Sequence, residues 1–172
     1  RALCMDPDID LDKKVYHSEM SHISRNRAIA YLLESKGYIE KNKDVENSLH
    51  FYVKMCSLSV TAESLAGLGL ILANDGIHPD TGKRLLSSQT VKIVKTLMFT
   101  CGMYDGSGEF AVRVGIPSKS GVGGGILSVV DGEMGIGIFG PALDKKGNSV
   151  AGECVLEYMS HELHLHMFDP QR

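Results

Sequence analysis

The sequence predicts an α+β protein, an antiparallel sheet flanked by helices, and three observations carry that prediction. Apolar residues recur at helical spacing through most of residues 1–100. A hairpin signal follows, with Ile126–Val130 and Met134–Phe139 flanking Asp131-Gly132-Glu133. Fourteen of the 19 glycines fall between Gly102 and Gly152, which separates a helical first part from a strand-rich second part. A length of 172 residues fits one domain, divided as 1–100 mainly helical, 101–147 strands and hairpin, and 148–168 a C-terminal helix.

Each element has its own signal. Ser24 to Lys36 spaces Ala28, Ile29, Leu32 and Leu33 helically, and Gly37 follows as a stop. Asp44 to Cys56 puts Val45, Leu49, Tyr52 and Cys56 on one stripe. Thr61 to Ala73 has a cap in Thr61 and an exit in Asn74-Asp75-Gly76. His78-Pro79-Asp80-Thr81-Gly82 is a turn. Ser87 or Ser88 caps a helix that runs through Phe99. Phe110 to Val114 alternates and reads as a strand. Asn148 or Ser149 opens a last helix reaching about His166. Three antiparallel strands with a buried face read as part of a larger sheet.

Composition narrows the function. Eighteen Lys and Arg against 21 Asp and Glu leave a net charge of −3, too balanced for a dedicated nucleic-acid or anionic-membrane binder. The longest apolar stretches, such as Leu68 to Ala73, are far too short to span a bilayer. Arg1-Ala-Leu-Cys-Met5 runs into Asp6-Pro7-Asp8 without a secretory pattern. Cys4, Cys56, Cys101 and Cys154 form no Cys-x-x-Cys and read as free thiols of a cytoplasmic protein.

Several motifs fail on inspection. Gly121-Val-Gly123-Gly-Gly125 lacks the last glycine of a dinucleotide loop, because position 126 is Ile, and a strand follows it rather than a helix. His161-Glu-Leu-His164-Leu-His166 misses the zinc-protease spacing at Leu165 and reads as a solvated helix end, so no metal is expected. Asp105-Gly-Ser107-Gly-Glu109 starts like a calcium loop, but Phe110 stands where glycine is required. Pro117-Ser-Lys119-Ser-Gly121 is more informative. Lys-Ser/Thr-Gly at a strand start is the third signature of penicillin-type serine enzymes.

Together with longer motifs, that segment resembles the serine-dependent glutaminase family. The motifs are Arg25-Asn26-Arg27-Ala-Ile-Ala-Tyr31, Phe51-Tyr52-x-x-x-Cys56-Ser57 and Ala73-Asn74-x-Gly76. They continue with Cys101-Gly-Met-Tyr104-Asp105, Ser118-Lys-Ser-Gly-Val122-x-Gly-Gly-Ile126 and Pro141-x-Leu-Asp144-x-x-Gly147-Asn-Ser149. The resemblance implies part of a serine β-lactamase/transpeptidase-like domain and hydrolysis of L-glutamine to L-glutamate and ammonia, without a cofactor. It implies Glu19, Asn26, Tyr52, Tyr104 and Val122 as substrate contacts. Glu19 would hold the α-ammonium, Asn26 the polar head or side-chain amide, and the Val122 amide the oxyanion. Tyr104 and Lys119 would be the catalytic pair, Tyr104 moving protons and Lys119 supplying charge. A homo-oligomer is also implied.

The family nucleophile is the Ser of Ser-x-x-Lys. No Ser or Thr here has Lys three residues later; Ser88, four before Lys92, comes nearest. The resemblance therefore implies the C-terminal portion of a catalytic domain nearly twice this long, and a chain inactive by itself. A penicillin-type hydrolase or transpeptidase is the alternative, since Ser24-Arg25-Asn26 fits its Ser-x-Asn element. A non-catalytic fragment that binds amino acids or partners is another.

Overall fold

A computed structural model describes residues 1–40 and 44–170, which form two compact units. One unit is Asp8–Val60 and the other is Arg1–Pro7 with Thr61–Arg172.

The smaller unit holds β1 (Asp10–Leu11), α1 (Lys13–Ser21), α2 (Ser24–Ser35), α3 (Val45–Cys56) and β2 (Leu58–Ser59). β1 and β2 pair antiparallel, Asp10 opposite Ser59. Helix α1 was not foreseen, because it buries no residue and shows no long apolar stripe. Its signal is Asp12, whose carboxylate accepts from the amides of Lys14 (2.8 Å) and Val15 (3.0 Å). Tyr16 and Met20, four apart, are the residues that α1 packs on the core of Ile23, Ala30, Val45, Leu49 and Val53. Helix α2 stops where Gly37 turns at φ +77°. The Asp44 carboxylate caps α3 at the Asn47 amide, 3.1 Å away. The buried line on α3 is Val45, Leu49 and Val53, so Tyr52 and Cys56 fall off the expected stripe and face outward. Val53, in sequence only one residue past Tyr52, competes for the same face and wins by fitting the 4-4 spacing.

The larger unit holds α4 (Ala62–Ala73), α5 (Ser88–Cys101), α6 (Ser107–Arg113), β3 (Ser118–Ser120), β4 (Gly125–Val130), β5 (Met134–Phe139) and α7 (Val150–Glu162). The strands form an antiparallel sheet in the order β3-β4-β5, with Lys119 opposite Leu127 and Ile126 opposite Ile138. Ile126 and Val130 pack with Phe110 and Val114 of the α6 segment and Leu156 of α7. Leu127 and Val129, on the opposite face, pack with Leu72 of α4 and Val91 and Met98 of α5. Helices thus cover both faces of the sheet, and β4 is buried along nearly its whole length.

The strand expected at Phe110–Val114 is instead α6 and its C-cap. Phe110 and Val114, four apart, are buried, whereas Val112 is 80% exposed. The segment's apolar letters fit either period, and the helical one leaves the single mismatch on the surface. The third strand is β3, too short to show a period. The last helix ends at Glu162, not His166: His164 takes φ +53°, and Leu165 turns back into the core.

Helix α4 lies directly on the backbone of β5. A Cβ on Gly137 would stand 1.8 Å from the Ala62 carbonyl oxygen, and one on Gly135 would stand 2.2 Å from that of Ala66. The alternating glycines of Met134-Gly-Ile-Gly-Ile138 are what admit the helix. Its start is fixed by a reciprocal cap, with the Ser64 amide on Thr61 Oγ1 and the Thr61 amide on Ser64 Oγ, both at 3.0 Å. Thr61→Ala is expected to cost about 1 kcal/mol, read as a lowered urea midpoint at unchanged slope.

Candidate functional site

The larger unit gathers three of the expected site residues. Tyr104 sits on a single 3-10 turn, Tyr104–Gly106, between α5 and α6, with its backbone in the left-handed region at φ +50°. Side chains pin this turn. Ser107 Oγ accepts from the Met103 amide (3.0 Å) and donates to the Tyr104 carbonyl (2.8 Å). Asn148 Nδ2 donates to the Met103 carbonyl at 3.2 Å. Ser107 was missed as a contributor; its signal is a small hydroxyl three residues after a residue in a turn.

Lys119 is the middle residue of β3, and its side chain faces outward between the buried Ser118 and Ser120. Its ammonium lies 4.6 Å from the centroid of the Tyr104 ring and also donates to the Ser120 carbonyl. The strand is placed by the Ser120 amide, which donates to the Gly102 carbonyl at 3.0 Å. Val122 follows in the Gly121–Gly124 turn, closed by the Gly124 amide on the Gly121 carbonyl (2.9 Å). The Val122 amide finds no acceptor among the described residues, and its side chain is exposed.

A loop from Pro141 to Ser149 closes this cluster. A Cβ on Gly147, where φ is +97°, would stand 3.5 Å from Val122 Cγ1 and 3.6 Å from Tyr104 Cε2. The phenol ring and the Val122 side chain therefore flank the same glycine. The Asp144 carboxylate organises the loop, accepting from the amides of Lys146 (2.9 Å) and Asn148 (2.8 Å). Those bonds, the Asn148 amide above all, hold the Asp144 carboxyl below its ordinary value. A group whose folded pKa is depressed stabilises the fold above its unfolded pKa and loses that effect as pH falls through the folded value. Asp144→Asn is therefore expected to lower the thermal midpoint at pH 7, and the gap to the parent chain should narrow as pH falls below the ordinary value of 3.8. Beside the loop, Lys146 meets Glu109 of α6 at 2.8 Å, and Arg113 of α6 pairs with Glu153 and Glu157 of α7.

The smaller unit carries the other three expected residues. Asn26, in the first turn of α2, and Tyr52 of α3 line one groove of about 360 Å³ with Ile29, Leu33, Ile39 and Ser48. The Asn26 amide bonds to no described residue. Glu19, on the exposed side of α1, does not line that groove, and its carboxylate pairs with no described residue.

The histidines near the C-terminus do not share a helix face, because α7 ends before His164. His161 lies 3.0 Å from Glu162, and His164 lies 3.1 Å from Asp169. Among the described residues, no group of three or more His, Cys, Asp or Glu side chains is arranged to hold a metal ion. No helix among them is long and apolar enough to cross a membrane.

The glutaminase family model matches residues 1–168. The glutaminase of Clostridium tetani is 54% identical over 168 residues, which are 98% of this chain and 54% of that protein. The glutaminase of Fusobacterium nucleatum is 56% identical over the same shares. The crystal structure of the covalent complex between a Bacillus subtilis glutaminase and 5-oxo-L-norleucine superposes with a TM-score of 0.91 at 40% identity. That match covers 97% of this chain and 59% of the other. These structural neighbours have the β-lactamase-like fold. The chain spans about half the length of the curated relatives it matches. Matched along nearly its whole length in sequence and in backbone, it belongs to the glutaminase family.

Proposed function

We propose that this chain supplies the substrate-holding and charge-stabilising side of a glutaminase centre, which hydrolyses L-glutamine to L-glutamate and ammonia. The observation that carries the reading is the match over residues 1–168, within which Tyr104, Lys119 and the open Val122 amide are grouped in one unit. A serine adds to the γ-carboxamide carbon, its proton passing to the Lys of its own Ser-x-x-Lys motif, and the carbonyl oxygen becomes an oxyanion that the Val122 amide receives. The Tyr104 phenol passes a proton to the departing nitrogen, ammonia leaves, and water then cleaves the acyl ester to glutamate. The Lys119 ammonium beside the phenol favours the negative charge that develops there. Glu19 takes the substrate α-ammonium, while Asn26 and Tyr52 take polar groups of the amino acid.

The nucleophile is not assigned to any residue of this chain, since no Ser or Thr precedes Lys by three. Action as a homo-oligomer in the cytoplasm belongs to the same proposal; four unpaired cysteines support a reducing compartment. The test uses 6-diazo-5-oxo-L-norleucine, with which a Bacillus subtilis glutaminase reacts covalently. The purified chain is treated alone, and also joined to the portion of the Clostridium tetani glutaminase that it does not match. Intact mass should show no adduct on the chain alone and one adduct on the joined protein, mapping outside these 172 residues. An adduct on a Ser of this chain would contradict the missing nucleophile. A folded joined protein that takes no adduct would contradict the function.

A further inference from the structure

We infer that Asn148 is a positioning residue for Tyr104. The inference rests on the glutaminase reading for its consequence in turnover, and on geometry alone for the positioning itself.

A bulky aromatic residue does not hold φ +50° unless its surroundings impose it. Two peptide planes flank the Tyr104 Cα, and rotation of either moves the phenol. The plane after it is held by Ser107 Oγ, which donates to the Tyr104 carbonyl. The plane before it contains the Met103 carbonyl, which receives two donors: the Gly106 amide (3.0 Å) and Asn148 Nδ2 (3.2 Å). The Gly106 bond lies inside the turn and moves with it. The Asn148 bond arrives from 45 residues away and ties the turn to the loop before α7.

Asn148 suits this task. It is fully buried, and its own amide is fixed on the Asp144 carboxylate, so its side chain cannot swing out to water. Its neighbour Gly147 stands against the Tyr104 ring. One loop therefore sets both the backbone and the ring of Tyr104. Asn148 Oδ1 is buried and has no hydrogen-bond partner among the described residues. An unpaired buried acceptor is costly, and a branched apolar side chain of similar size would avoid it. What the amide adds in return is its donation to the Met103 carbonyl.

Asn148→Leu keeps the branching and heavy-atom count and removes both the donor and the unpaired acceptor, at the cost of bulkier methyl groups in a buried site; Asn148→Ala, which removes both groups without added bulk, is the second variant. The full chain is labelled with ring-13C tyrosine, and the Tyr104 signal is assigned as the one of six lost in Tyr104→Phe. The expected result is that the Tyr104 signal shifts and broadens in either folded variant while the other five stay in place. In the joined protein, kcat for L-glutamine should fall about 10- to 100-fold, with KM changed less than about threefold. An unmoved Tyr104 signal in both variants would overturn the inference, as would a collective shift of all six, which marks a merely structural role. A moved Tyr104 signal with full turnover would uphold the positioning and overturn the part given to Tyr104 in the reaction.

Discussion

Tyr104→Phe, made in the joined protein, is expected to lower kcat for L-glutamine by about 100- to 10,000-fold, the range for loss of a positioned proton-transfer group. The substitution removes one hydroxyl and leaves the ring against Gly147 and beneath the Lys119 ammonium. Stability should therefore change little, and KM should move far less than kcat, because the hydroxyl is needed when the nitrogen takes its proton. Steady-state ammonia release, with a melting curve on the same sample, checks both. A Phe variant with parental kcat would remove Tyr104 from the chemistry and leave it as a wall of the site.

Gly137→Ala is expected to have the largest effect on folding. The added methyl would stand 1.8 Å from the Ala62 carbonyl oxygen, 2.7 Å from the Ala66 nitrogen and 2.9 Å from the Ala62 carbonyl carbon, all backbone atoms that cannot yield as a flexible side-chain end can. Relief requires α4 to lift from β5, which opens the layer where Leu72 meets Leu127 and Val129. Overpacking of this kind costs about 3 kcal/mol or more. Gly108→Ala is the matched control. Its site in α6 has open space within 4 Å, so Ala should add about 0.5–1 kcal/mol of stability. Urea unfolding of the two variants side by side would show opposite shifts of the midpoint.

Much of the fold was legible where local signals were strong. Asp44, Thr61, Ser87 and Ser149 all cap the helices that their positions announce. The Asp131-Gly132-Glu133 hairpin pairs in the register that its flanking apolar runs require. Legibility failed where two periods fitted the same letters, as at Phe110–Val114, and where an element is too short to have a period, as in β3. It failed at α1 because a helix that buries so little of itself leaves almost no stripe to read.

The site divides in a similar way. Tyr104, Lys119 and Val122 are named from motif resemblance, and in the larger unit Tyr104 and Val122 flank Gly147 while Lys119 stands over the Tyr104 ring. No periodicity or spacing announces the tie from Asn148 to Met103, because it joins segments 45 residues apart. Tyr52 was drawn toward the core by its stripe, yet it is exposed and lines the groove with Asn26. Only tertiary packing decided between Tyr52 and Val53.

The most direct test of the account is ammonia release from L-glutamine, measured on the purified 172-residue chain alone and on the same chain joined to the unmatched portion of the Clostridium tetani glutaminase. The account predicts no release from the chain alone and sustained release from the joined protein. Turnover by the isolated chain, verified by intact mass, would contradict it by placing a nucleophile among these residues. A folded joined protein that releases no ammonia would contradict the assignment of glutamine hydrolysis itself.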